Sequence, residues 1–103
     1  SSLYGQEQLI FRQISKKEGL SQSSVFAIEQ DPSGFMWFGT RNGLNKYDGY
    51  TFTTYHQSAA ANSLRANDIR TLYFDQKMNE MWVGTTVGLC RFRPEFEDFV
   101  STF

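Results

Sequence analysis

Two stretches of this 103-residue chain carry the same pattern about 44 residues apart. Leu20, Val25, Ile28 and Asp31 recur as Leu64, Ile69, Leu72 and Asp75, each 44 positions later. After one added residue, Trp37, Gly39, Thr40, Gly43, Leu44 and Tyr47 recur as Trp82, Gly84, Thr85, Gly88, Leu89 and Phe92, each 45 later. The spacing then returns to 44, which aligns Phe52 with Phe96 and Tyr55 with Phe99, and places Phe11 one period before Tyr55. A fixed period of about 20–50 residues marks a repeat architecture, in which each unit buries its apolar face only against a neighbour. A single small sandwich or barrel with accidental self-similarity is the competing reading. The number of matched positions weighs against it.

Within each copy the local pattern reads as short strands separated by turns. Val25 to Ile28 and Ile69 to Phe74 are rich in β-branched and aromatic residues, as strands are. The first is nearly all apolar, which fits a strand covered on both faces. Asp31-Pro32-Ser33-Gly34 is a turn, and Phe35 to Thr40 is a second strand. Asn42-Gly43 reads as a hairpin turn, because both residues accept positive φ. Leu44 to Tyr47 and Thr51 to Tyr55 complete four strands, the last polar enough for an edge. The second copy follows with Met81 to Thr85, Leu89 to Phe92 and Glu95 to Val100. Ser15 to Glu18 fits a helix capping box, but Gly19 and polar residues follow, so it is read as a loop. A four-stranded unit of about this period is the blade of a β-propeller. The fold class is therefore all-β: two four-stranded antiparallel blades plus one flanking strand. The boundaries fall at 1–18 for the end strand and loop of a preceding blade, 19–62 for one blade and 63–103 for the next. Propellers close with about 4–8 blades, so the chain reads as a fragment of a larger ring.

The residues Gly19-Leu20-Ser21, Val25, Ile28, Asp31, Gly34, Trp37-Phe38-Gly39-Thr40, Gly43-Leu44 and Tyr47 resemble the two-component regulator propeller repeat. The second copy keeps Leu64, Asp75, Trp82-Val83-Gly84-Thr85, Gly88-Leu89 and Phe92, but has no glycine after Asp75 and has Ser63 in place of Gly19. The resemblance implies the periplasmic sensor region of a hybrid two-component regulator, with histidine kinase modules across a membrane. It also implies oligosaccharide ligands. A propeller lyase or glycosidase, and an interaction scaffold, are the alternatives from other classes.

Composition excludes more than it selects. Aromatics make up 17% of the chain, which argues against disorder, and the net charge of −1 lacks the basic footprint of a nucleic-acid binder. Apolar runs reach about four residues, far short of the roughly 20 of a membrane helix, so no direct membrane contact is expected. Cys90 stands alone, so no internal disulfide forms.

Trp37 and Trp82 could stack on sugars, but a residue that every blade repeats is better read as inter-blade packing. Asp31 and Asp75 lie in neighbouring blades and read as turn caps, not as a hydrolase pair. The glycines lack the helix and Lys-Ser/Thr of a phosphate loop. His56 has no second metal ligand at suitable spacing, and Cys90 in a strand reads as a buried thiol, so neither a metal nor a cofactor is expected. What remains are the loops at one end of each blade: Lys16 to Ser24, His56 to Asp68, Arg41 to Gly43 and Thr86 to Gly88. Their side chains Arg41, Asn42, Arg65, Asn67 and Asp68 suit hydroxyl and carboxylate recognition, and form the expected ligand-binding set. The expected partners are an oligosaccharide, neighbouring blades of the parent chain, and a second copy of the chain when it stands alone.

Overall fold

The computed structural model describes residues 25–101. The expected flanking strand around Phe11, the loop from Lys16 to Ser24 and the Ser15 to Glu18 box lie outside them. The described residues form two four-stranded antiparallel sheets, each in sequential order. The first comprises β1 (Val25–Gln30), β2 (Met36–Thr40), β3 (Gly43–Tyr47) and β4 (Phe52–Tyr55). The second comprises β5 (Ile69–Asp75), β6 (Glu80–Thr85), β7 (Gly88–Arg93) and β8 (Asp98–Ser101). These are the two expected blades. β4 is an edge, as its polarity implied, whereas β1 is mostly half-buried, not covered throughout.

The two blades stack face to face. In the first, alternation sends Trp37, Gly39, Leu44 and Tyr55 to one side. In the second, Ile69, Met81, Val83, Cys90, Phe92 and Phe99 face them across a shared core. Trp37 lies 5.0 Å from Phe92, and Tyr55 packs against both Phe92 and Phe99 at 5.4 and 5.6 Å. The packing role expected for Trp37 is thus observed. Trp82, its counterpart, is half-buried on the far side of the second blade, with the Arg91 guanidinium 5.9 Å from its ring. Inner strand β5 lies against β1 and β2, and Glu29 Oε2 accepts a hydrogen bond from Phe74 N at 2.9 Å, linking the blades.

Each recurring motif residue has a mechanical role. Asp31 Oδ1 accepts hydrogen bonds from Ser33 N and Phe35 N, both at 3.0 Å, capping the turn as expected. Its other oxygen accepts the indole N–H of Trp37 at 2.9 Å. The Asp–Trp spacing therefore locks a turn to the inter-blade core. Thr40 Oγ1 donates to Gly43 O and accepts from Asn42 N, and Thr85 repeats both bonds with Gly88 O and Val87 N. The threonine thus staples the hairpin in both copies.

Two readings are corrected, the residues of the β2–β3 turn and the start and register of β8. The hairpin after β2 turns on Arg41–Asn42, with Thr40 paired to Gly43, and positive φ occurs only at Gly43 (110°). Gly43 is required there because a Cβ would meet Tyr55 O at 2.6 Å. The second copy supplies its turn without glycine: Asn79, with φ of 56°, stands 45 residues after Gly34, with φ of 95°. Asparagine tolerates this left-handed region better than most side chains, which explains the substitution. Finally, β8 begins at Asp98, not Glu95. Tyr47 pairs with Phe52 and Phe92 with Phe99, so Phe99 corresponds to Phe52. Phe96 sits exposed in the turn. An Arg93–Asp98 ion pair, with bonds of 2.8 and 2.7 Å, adds a rung to this hairpin and displaces the expected register.

Candidate functional site

Antiparallel pairing gathers one set of connections at the same end of both blades: the β2–β3 turn, the β6–β7 turn and the 56–68 connection. This is the end that carries the candidate residues. The long connection is built as a structural bridge. Leu64 drops into the inter-blade core, Asn62 O accepts from Phe99 N at 3.0 Å, and Gln57 and Leu64 form a parallel bridge.

The five candidate side chains divide into two groups. Asn67 holds the connection together: its Oδ1 accepts from Gln57 N and its carbonyl from Gly43 N, both at 2.6 Å. Arg65 reaches the outer part of the second blade, donating to Ser101 Oγ at 3.0 Å and to Val87 O at 3.5 Å. These two are staples between the connection and the blades. The other three lie toward the inner strands. Asp68 O accepts from Thr86 N at 3.3 Å, and its carboxylate pairs with Arg70 Nε at 3.0 Å. Arg41 and Asn42 are exposed at the tip of the β2–β3 turn.

Sequence reasoning missed two residues that complete this inner corner. Val25 pairs with Thr40 and Ala27 with Gly39, leaving Phe26 as an extra, unpaired residue in β1. Ile69 pairs with Thr85 and Thr71 with Gly84, leaving Arg70 extra in β5. The two bulges fall 44 residues apart, at equivalent positions of the repeat. A bulge re-aims a side chain away from the regular alternation, and such features favour functional rims. Here it brings the Arg70 guanidinium 4.3 Å from the centre of the Phe26 ring, while the Arg41 guanidinium lies 5.7 Å from the same ring. The available signal was the one-residue excess in β1 and β5 relative to their partners, which becomes visible only once pairing is known.

Other titratable groups serve structure. Cys90 is fully buried in the core, and burial pushes its thiol above its ordinary 9.0, with a weaker opposing effect from Arg65. Burial also raises the Tyr55 hydroxyl above 10.0, with the Glu97 charge adding to it. The Arg93 guanidinium holds the Asp98 carboxyl below its usual range, and backbone N–H groups of Thr51 and Tyr50 do the same for Asp48. His56 is exposed beside Gly43. Among the described residues, no three of His, Cys, Asp and Glu gather as metal ligands would.

Residues 19–42 match the model of the family described as two component regulator propeller. A stretch of 49 residues, 48% of this chain, is 53% identical to histidine kinase P4 of Formosa agariphila and covers 4% of that protein. Among solved structures, the extracellular domain of a putative hybrid two component system from B. thetaiotaomicron superimposes with a TM-score of 0.71 at 37% identity. That match covers 80% of this chain and 12% of the other. The chain thus spans a small part of the proteins it resembles. Residues 19–42 carry a two component regulator propeller repeat, and the two sheets are blades of a propeller-type fold similar to that extracellular domain.

Proposed function

We propose that this chain is part of the extracytoplasmic, periplasmic ligand-sensing propeller of a hybrid two-component regulator, and that its ligands are oligosaccharides. The observation that carries the reading is the likeness, at 37% identity over 80% of this chain, to a domain described as the extracellular part of such a system. The 53% identical stretch in a protein named as a histidine kinase supports the link to signalling. The loop-bearing end described above supplies the ligand surface. Ligand binding there favours one arrangement of the sensor over another, and that shift passes to the cytoplasmic kinase. The test is calorimetric titration of the complete extracytoplasmic region with a panel of neutral and charged oligosaccharides. Saturable binding of one class supports the reading, and no binding across the panel counts against it.

The far side of the second blade also supports self-association of the isolated chain. Leu44 is 0% exposed because the second blade covers it, whereas its counterpart Leu89 is 40% exposed. Tyr73 is exposed on the same side. A second copy fits this side because the contact between the two blades already shows the mode of packing. Sedimentation should find dimers or larger species at micromolar concentration, and Leu89→Arg should shift them toward monomer. A compact wild-type monomer would refute this.

A further inference from the structure

The inner corner of the loop-bearing end carries more positive charge than its fold requires. Arg41 and Arg70 come from different blades, yet both guanidiniums sit within 6 Å of one ring centre, that of Phe26. Those two distances bound the separation of the guanidiniums at about 10 Å, close enough for both charges to act on one anion at the rim. Asp68 neutralises Arg70 alone, through bonds of 3.0 and 3.1 Å. Among the described residues, no carboxylate pairs with Arg41. Arg41 and Arg70 are both exposed; Arg70 bonds Asp68 through Nε and Nη2, which leaves its Nη1 group and the Arg41 guanidinium facing solvent for a ligand.

The placement comes from the repeat itself. The bulge at the start of each inner strand turns one side chain out of the ladder, Phe26 in the first blade and Arg70 in the second. Phe26 is half-buried and offers its ring to both cations, which restrains two long side chains that would otherwise sweep freely. The planar fork of each guanidinium then presents paired N–H donors, the geometry that matches a carboxylate or a sulfate ester. Asn42, next to Arg41 at the turn tip, adds an exposed amide for neighbouring hydroxyls.

We infer that Arg41 and Arg70, braced on Phe26, form a binding site for an oxyanion carried by the ligand, a carboxylate or a sulfate ester on a sugar ring. This rests on the oligosaccharide-sensing reading and narrows it to acidic carbohydrates. Asp68 occupies the Nε–Nη2 edge of Arg70 and competes with the incoming anion there.

The full chain would be titrated by calorimetry with four probes: a tetragalacturonate, a sulfated galactose tetrasaccharide, a neutral xylose tetrasaccharide and inorganic sulfate. One of the two acidic sugars is expected to bind at least about tenfold tighter than the neutral one. Its affinity should fall as salt rises from about 0.05 to 0.3 M, over which screening shortens. Whichever acidic sugar binds tighter identifies the oxyanion. Arg41→Ala and Arg70→Ala should each weaken it about tenfold or more, with the fold checked by circular dichroism. Asp68→Asn should tighten it, a change of sign that a purely structural role for Asp68 would not give. Lys77→Ala, at the opposite end of the blades, should leave it unchanged. Equal binding of neutral and acidic sugars, or unchanged affinity in both arginine variants, would overturn the anion site and leave sugar sensing standing. If only inorganic sulfate binds, the sugar part of the inference fails. Absence of binding by every probe would overturn both readings.

Discussion

Gly39→Ala separates close packing from backbone freedom as the reason a glycine recurs after each tryptophan. Gly39 has no positive φ, so alanine fits its backbone. Its surroundings are another matter. A Cβ there would lie 2.7 Å from Ile69 Cγ2, 3.2 Å from Ile69 Cβ and 3.4 Å from Ala27 Cβ. Carbon atoms pack best at about 3.5–4.0 Å, so the nearest contact needs roughly 0.8 Å of relief. Ile69 is 0% exposed and β-branched, so rotation about χ1 swings another branch into the packed core, and it leaves the 3.2 Å contact to Cβ, which is tied to the β5 backbone. The second blade has to move away from the first. Overpacking of this kind costs about 1–3 kcal/mol, and the entropy gained by replacing a strand glycine offsets about 0.5–1 kcal/mol. The net expectation is a loss of about 1–2 kcal/mol, or roughly 5–15 °C in Tm for a chain of this length.

Gly84 provides the internal control, because it holds the same place in the second copy. A Cβ there would run into Thr71 Oγ1, which belongs to an exposed side chain free to rotate away, and its next contact is an ordinary 3.6 Å to Leu89 Cδ2. Gly84→Ala should therefore change stability by no more than about 0.5 kcal/mol. Urea unfolding, followed by the fluorescence of buried Trp37, would measure both variants. Repeating Gly39→Ala in an Ile69→Ala background should erase its penalty. If Gly39→Ala is as well tolerated as Gly84→Ala, or its penalty survives removal of the Ile69 side chain, the close-approach explanation is wrong.

Three further outcomes are expected. Asp31→Ala removes the acceptor of the Trp37 indole and of two backbone N–H groups. It should destabilise the chain by about 2–3 kcal/mol in the same assay, and a loss below about 0.5 would show that the turn caps itself. Glu97 holds φ of 52° just before β8. Glu97→Gly relieves this strain and should raise stability by about 1 kcal/mol in the same assay, and a flat or lowered Tm would show that the left-handed backbone is not the dominant cost there. Cys90 and Tyr55 hold their protons more tightly in the folded chain, so the stability tied to them is intact below about pH 9. It should fall as pH rises above 9.0 and then 10.0, the values at which the unfolded thiol and phenol ionise. Unfolding curves at pH 7.5 and 10.5 would show this, and a Cys90→Ala, Tyr55→Phe double variant should lose part of the difference.

Much of the fold was legible because a repeat states its own architecture. The spacing of Trp37 and Trp82 gave the blade period, and the alternation around them gave strands within about three residues at each end. The misplacement of β8 has a physical cause. Phe96 has the right character for a strand, but the Arg93–Asp98 pair extends the hairpin and leaves Phe96 in the turn. An ion pair across a hairpin turn leaves no periodic trace. Asn79 escaped notice for a similar reason: the turn requires a left-handed residue, not glycine specifically.

The candidate site was less legible. Sequence alone placed Arg41, Asn42, Arg65, Asn67 and Asp68 at one end of the blades, because loop positions follow from strand order. It could not distinguish the staples Arg65 and Asn67 from the exposed Arg41. That difference depends on partners such as Ser101, 36 residues away from Arg65, and Gln57. Phe26 and Arg70 were invisible as site residues, since both read as ordinary strand positions. Sequence determined the repeat, the blade and the residues each blade must bury, all encoded in local alternation and period. Only the tertiary structure decided which side chains meet at the rim. A bulge is a property of how two strands pair, and the Arg41–Phe26–Arg70 contact exists only once two blades stand side by side.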